Sequence, residues 1–301
     1  MTRVIIAISL ALVSLLAFCK SDSRTTVVRI PVVSPFIASD SEGGFWVAGP
    51  SRAIHFDKDG QTLQTFALPS HAGYWVNVSG GRPWFVSRES GSQSHRVDIA
   101  TVRAGRVLVQ SLSMPEGVLS VSVLGTTVYL ANNDSIVMDS NRHVTTFLLP
   151  AHCRGARALS AVKGGVWEAS SLHALCFFPA NHMAHWSIYP TGIYGLSSIA
   201  VDHKGDVWAS TIGYNILRFR PRSPGFNVIT TKPLQPFWLS AGTKNIWFTA
   251  PLQRAIGSIS IDGSHFQMRQ VNHRVDGIAA LPNGAVLFVV NDGRAVATFR
   301  P

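Results

Sequence analysis

NIWFTAPLQRAIGSISIDG, residues 245–263, reads as a complete β-hairpin. An aromatic-centred strand (Ile246, Trp247, Phe248) leads through a polar turn into a second strand carried by Ile256, Ser258, Ile259 and Ile261, and Asp262-Gly263 closes it. The pattern recurs along the chain. Trp247 has counterparts at Trp46 in FWVAG, Trp84 in PWFVS, Tyr129 in VYLAN, Trp167 in VWEAS, Trp208 in VWAST and Leu287 in VLFVV. These anchors lie roughly 40 residues apart, the spacing of a four-stranded β-propeller blade. Seven anchors therefore predict an all-β, seven-bladed β-propeller.

Each unit divides into strands a to d. In the fifth they are expected at Ser198–Asp202, Asp206–Ser210, Ile216–Arg220 and Phe226–Thr231, with a polar Asp202-His203-Lys204-Gly205 turn between a and b. Outer strands are legible as LQTFALP (63–69), VLVQSLSMP (107–115), HVTTFLLP (143–150), HWSIYP (185–190), FNVITTKP (226–233) and FQMRQV (266–271), one fewer than seven blades require. The seventh unit ends after its third strand, AVATFRP, while TTVVRIP (25–31) matches the outer-strand pattern down to its terminal proline. The N-terminal strand is thus expected to complete the last blade beside Arg294–Phe299, closing the ring and covering a sheet edge.

Composition agrees with many short strands and tight turns: 14% of the 301 residues are charged and 10% aromatic, with 25 Gly and 16 Pro. Residues 1–19, MTRVIIAISLALVSLLAFC, carry Arg3, an apolar run from Val4 to Phe18 and then an abrupt polar change, which reads as a secretory signal, leaving residues 20–301 as the propeller. The run ends in LAFC, similar to a lipoprotein signal, so the expectation is an exported, periplasmic or envelope-associated protein either lipidated at Cys19 or cleaved nearby. In an oxidising compartment Cys153 and Cys176 could pair. The placement of Cys176 in mid-strand and Cys153 in a loop favours two buried free thiols. Net charge is +10 and Arg outnumbers Lys 20 to 6, so anionic partners suit it. No basic run with interleaved aromatics is present, which argues against nucleic acid.

The WFTAPLQRAIGSISIDG unit, with its preceding strand a and outer strand, resembles the blade of the streptogramin B lyase (virginiamycin B lyase) propellers, over residues 25–301. That resemblance implies a site at the mouth formed by the d–a and b–c loops, with a catalytic His at the start of strand a in late blades and Glu side chains after the WFT positions holding Mg²⁺. The His positions fall here on Phe237 and Asp276, and the Glu positions on Ala250 and Asn291. A lyase of that kind needs a base beside the ester and carboxylate oxygens for a hard cation. Phenylalanine and alanine supply neither. Across the blades the position after the anchor strand reads Gly49, Ser87, Asn132, Ser170, Thr211, Ala250 and Val290 or Asn291, without one carboxylate.

The ring where each strand a begins reads Pro35, Tyr74, Leu119, Arg157, Ser197, Phe237 and Asp276. Tyr74, Arg157, Phe237 and Asp276 could orient a small polar ligand, though Arg157 and Asp276 could equally pair as structural ions. Neighbouring loops add His71, Arg88, His95, Arg96, His152, Arg154, Arg254, His273, Arg274 and Arg294, so this face is expected to be basic. Three features take a structural reading: His182 and His185 lie in a c–d loop, Ser70 and His71 are merely adjacent, and Glu168 is expected to be a satisfied inter-blade carboxylate. The functional expectation is a monomeric, non-catalytic binding module for an anionic or polar small molecule, a cell-wall component or a protein. It needs no cofactor, touches a membrane only through a lipid anchor, and the alternative is a lyase with a displaced, Mg²⁺-dependent site.

Overall fold

The computed structural model describes residues 25–301 apart from 89–95, 115, 184 and 224; the candidate signal, Cys19 and His95 lie outside the described residues. Among the described residues the strands form seven four-stranded antiparallel sheets, a seven-bladed β-propeller. In the fifth blade the strands run Leu196–Val201, Val207–Thr211, Asn215–Phe219 and Phe226–Thr230, within two residues of expectation. The seventh blade orders as β26 (Val275–Ala280), β27 (Val286–Val290), β28 (Ala295–Phe299) and then β1 (Thr25–Arg29). β1 pairs with β28 from Thr25 opposite Phe299 to Arg29 opposite Ala295, and Ile30 N–H extends the ladder to the Arg294 carbonyl at 3.0 Å. Among the described residues no helix is long and apolar enough to cross a membrane.

The repeat exists because each anchor is an inter-blade wedge. Trp46 meets Phe85 of the second blade edge-on at 5.8 Å, Trp167 meets Phe219 of the fifth at 5.7 Å, and Trp247 meets Phe299 of the seventh at 6.0 Å. None of the seven anchors is more than 8% exposed. Around the axis, innermost strands lie side by side with their edge amides unpaired by any ladder, and serine hydroxyls take several of these groups. Ala280 N–H donates to Ser240 Oγ at 2.9 Å, Leu239 N–H to Ser198 Oγ at 3.1 Å, and Leu159 N–H to Ser120 Oγ at 2.9 Å. Burying those amides without a partner would cost about 1–3 kcal/mol each, which accounts for a hydroxyl at that point in successive blades.

One interface is joined by charge. Arg218, 3% exposed, donates from Nε and Nη2 to Asp206 Oδ2 at 2.9 and 2.6 Å and from Nη1 to the Asp262 carbonyl of the sixth blade at 2.8 Å. Its guanidinium lies 5.0 Å from the ring centre of Trp208, whose Nε1 donates to Asp202 Oδ2 at 2.9 Å.

Two sequence expectations are corrected between the third and fourth blades. Cys153 and Cys176 are joined as a disulfide, with Cα atoms 6.1 Å apart, rather than held as free thiols. A single 3₁₀ turn, Ala151–Cys153, turns the loop inward and seats Cys153 in the core, so a loop residue reaches mid-strand. Closing a loop of sequence separation 23 contributes around 3 kcal/mol on the chain-entropy view. Glu168 is not satisfied: it is fully buried, and neither carboxyl oxygen has a hydrogen-bond partner among the described residues. Burial pushes its carboxyl well above the usual carboxylate range.

The folded chain therefore keeps a proton that the unfolded chain releases. Stability from the neutral form is complete below the unfolded value near 4.3 and falls by about 1.4 kcal/mol per pH unit as pH climbs toward the folded value. Glu168→Leu removes this dependence. Its melting temperature is expected to exceed that of the unaltered chain by a margin that widens between about pH 5 and pH 7; a constant margin would contradict the buried neutral carboxyl.

Candidate functional site

The d–a and b–c loops share one face of the ring, and there the chain converges on aromatic side chains rather than on the expected charges. Phe36 leads into the innermost strand of the first blade, Trp75 lies in that of the second, and Phe237 and Trp238 precede that of the sixth. Phe36 sits 6.0 Å from Trp75 and 5.5 Å, edge-on, from Trp238, which in turn meets Phe237 at 5.1 Å. Arg88 lays its guanidinium over Phe36 at 5.1 Å and over Trp75 at 5.3 Å. Burial lowers the Arg88 pKa from its ordinary value, but a guanidinium remains charged at neutral pH.

Phe36 can reach the sixth blade because the seventh presents no side chain between them. Gly277 N–H donates to the Pro35 carbonyl at 3.0 Å, and a Cβ there would stand 2.4 Å from that oxygen and 3.2 Å from Phe36 Cα. Only glycine admits so close a passage of backbone on backbone.

The expected site residues separate into four groups. Tyr74 is corrected to the core: it is fully buried, its hydroxyl donates to the Pro69 carbonyl, and burial, followed by the nearby Asp98 charge, drives its phenol far above the ordinary value. The side chain that turns to the aromatic cluster is its neighbour Trp75. Phe237 does lie in the cluster, 41% exposed. Asp276 is half-buried and pairs with Arg274 Nε at 3.4 Å, the structural ion pair that sequence left open. Burial, opposed by Arg274 and reinforced by Asp292, holds its carboxyl above the usual range.

Arg157 is exposed at a bulge between Ala156 and Ala158 and has no side-chain partner among the described residues. His152, Arg254, His273 and Arg294 are exposed on the loops of the same face, likewise without side-chain partners among the described residues. Arg254 adopts a left-handed conformation (φ 49°) at the close of the 3₁₀ turn Pro251–Gln253. Other charges nearby are already committed: His71 and Arg96 contact Asp98 at 2.9 and 3.4 Å, and Arg154 contacts Asp134 at 3.5 Å. His71 and Asp98 form a His–carboxylate pair that sequence adjacency gave no reason to expect.

Sequence reading, attentive to charge, also passed over apolar loop tips on this face. Leu172, Tyr194, Ile212, Tyr214 and Leu252 are all exposed on loops of the fourth to sixth blades, Leu252 at 78% and Tyr194 at 60%. Large apolar groups in place of the usual polar turn residues (SLH, IGY, PLQ) are the signal that could have found them. At the far ends of the innermost strands of the first, fifth, sixth and seventh blades, residues such as Ser39, Val201, His203, Ala241, Thr243 and Ala280 line a cavity of about 540 Å³.

The positions that the lyase resemblance assigns to Mg²⁺ do not fit the ion. Ala250 is fully buried opposite Ala255 and offers no side-chain oxygen, and Asn291 is an exposed carboxamide in a left-handed turn. Among the described residues one trio of metal-ligating side chains converges, and it lies at the disulfide between the third and fourth blades.

No protein-family model and no curated protein matches the sequence. Solved structures match over nearly the whole ring. Selenomethionine-substituted virginiamycin B lyase from Staphylococcus aureus is similar with a TM-score of 0.77 at 14% identity, covering 92% of this chain and 99% of that one. A streptogramin B lyase structure gives 0.74 at 17%, covering 92% and 97%. The Cps50 (Swd1) β-propeller domain of Myceliophteria thermophila gives 0.72 at 9%, covering 91% and 99%. A lyase and a domain of quite different description match almost equally, so this likeness shows the fold and does not select an activity.

Proposed function

We propose that the chain is an exported, non-catalytic binding propeller that holds a polar or anionic ligand at the mouth of the d–a and b–c loops. The observation that carries this reading is the cluster of Arg88 over Phe36 and Trp75, joined through Phe36 to Trp238. Aromatic faces and a fixed guanidinium suit recognition of sugar rings and carboxylates, and need no reacting group. Arg157, Arg254 and Arg294, exposed around the rim and without side-chain partners among the described residues, would draw an anion in, and the exposed leucine and tyrosine tips would pack its apolar parts. The lyase alternative lacks support at two of the four corresponding positions, where Phe237 brings no base and Ala250 no side-chain oxygen, and at a third the Asp276 carboxylate is paired with Arg274. Export, and a choice between lipidation at Cys19 and cleavage, belong to the same proposal.

Two assays test it. Incubation with quinupristin and Mg²⁺ is expected to give no ring-opened product; turnover abolished by chelation would establish the lyase reading instead. Tryptophan fluorescence titrated with soluble peptidoglycan fragments is expected to show saturable quenching, weakened about tenfold in Arg88→Gln, as loss of one charge-assisted contact predicts, with the melting temperature preserved. Equal affinity in the variant removes the cluster from the site, and absence of saturation removes this ligand class.

A further inference from the structure

A carboxyl that is fully buried and, among the described residues, has neither a hydrogen-bond partner nor a basic neighbour needs a reason, because a leucine or a glutamine in its place would avoid much of the desolvation cost. Glu168 stands in the middle of the strand Gly165–Ser170, directly opposite Cys176 in the next strand. One of its carboxyl oxygens and the Sγ atoms of Cys153 and Cys176 all lie within 4.8 Å of one another, and all three residues have no exposed surface. Apart from Trp84 Nε1, the Glu168 oxygens are the buried side-chain polar atoms left without a partner among the described residues. With the disulfide opened, two sulfurs and one unsatisfied oxygen converging in this way make a donor set for a cation that accepts both.

We propose that Cys153, Cys176 and Glu168 form a metal site held closed by the disulfide. When the bridge is reduced, the two sulfurs and the carboxylate bind one thiophilic divalent ion of the zinc type. Thiolate donors exclude Mg²⁺ and Ca²⁺, which take oxygen ligands, and a three-ligand S₂O set leaves one tetrahedral position for water. Ligand atoms about 2.0–2.3 Å from such an ion sit roughly 3.5–3.8 Å from one another, so the carboxylate is already within about an ångström of its place. The sulfurs have to part, and a Cα separation of 6.1 Å lets side-chain rotation accomplish this without moving the sheet. Solvent is one turn away: Ala151, His152 and Arg154, flanking Cys153, are exposed.

The chemistry balances with a phosphine reductant. The disulfide, the phosphine and one water give two thiols and the phosphine oxide. The incoming ion then displaces both thiol protons and the Glu168 proton, so that binding releases protons and strengthens as pH rises. In the oxidised protein the sulfur lone pairs remain but no thiolate exists, and the site does not bind.

The test uses the whole exported chain, reduced with a phosphine, freed of reductant under anaerobic conditions and titrated with Co²⁺. One ion per chain is expected, with thiolate-to-cobalt charge-transfer absorption and tetrahedral visible bands that stoichiometric Zn²⁺ abolishes. The oxidised chain should show neither. Glu168→Gln keeps the charge-transfer band but loses about 10–100-fold in affinity, the usual effect of removing one oxygen ligand or its support, and Cys176→Ser loses the band. Should reduction unfold the ring, added Zn²⁺ is expected to restore the melting transition. Absence of the charge-transfer band, equal affinity in Glu168→Gln, or undiminished binding by the oxidised chain overturns the proposal.

Discussion

Deletion of residues 25–30 is expected to cost the ring more than about 4 kcal/mol, a large part of the 5–15 kcal/mol that holds a typical domain together. The deletion removes β1 and, with it, the five residue pairs that join β1 to β28. It also removes Ile30, 6% exposed in the core shared by the first and seventh blades, and Val28, which packs against that core. Each such side chain contributes about 1.5–3 kcal/mol when buried. Loss of β1 then bares the outer edge of β28, whose amides and carbonyls are a template for edge-to-edge pairing between molecules. The expected result is a broad, early thermal transition with oligomers on gel filtration, and partial recovery when a synthetic peptide of residues 25–36 is added in trans to refill the edge. A deletion variant that melts cooperatively and as a monomer at the original temperature would mean that the ring closes without β1.

The fold was legible because it is written seven times. An aromatic or leucine anchor recurs at the point where each blade wedges against the next, and glycine-containing turns mark where the chain reverses. Closure was legible by elimination, from one outer strand too few at one end and a matching one at the other. The site was much less so, and Tyr74 shows why. In the fourth, fifth and seventh blades a bulge near the start of the innermost strand sets Arg157, Ser197 and Asp276 out of the regular alternation. The second blade has no such bulge: Tyr74 pairs with Ser87 and Trp75 with Val86 in unbroken register. Because alternate residues face opposite sides, one extra residue exchanges the buried and facing side chains, and the sequence does not mark where it falls.

Two further misses share another cause, which is distance along the chain. That Cys153 is turned into the core to meet Cys176 depends on a single 3₁₀ turn, and that Phe36 meets Trp238 across the seventh blade depends on Gly277 having no side chain. Both are contacts between units, while the repeat describes what happens within one. Glu168 failed in the opposite way, since alternation correctly placed it between blades and said nothing of whether a donor waited there.

The second large effect concerns Arg218, which the repeat also passed over. Arg218→Ala is expected to cost about 3–5 kcal/mol, the range for breaking a buried ion pair from one side, and to lower the melting temperature by about 10 °C for a chain of this length. The reason lies in what is left behind. Asp206, 13% exposed, would keep only Arg220 at 3.5 Å among the described residues, and the Asp262 carbonyl of the next blade would lose its Arg218 donor. Trp208, fully buried, would also lose the cation over its ring. Arg218→Lys should recover less than half the loss, because a single ammonium on a flexible stem cannot serve a carboxylate and a carbonyl of two blades while lying flat on an indole. The double variant Arg218→Met, Asp206→Asn should be milder than Arg218→Ala alone, since it removes the stranded charge together with its partner. Guanidinium unfolding of the four proteins decides it. A loss below about 1 kcal/mol in Arg218→Ala would reduce the pair to a surface-like contact, and a double variant worse than Arg218→Ala would show that the carboxylate is held chiefly by other groups.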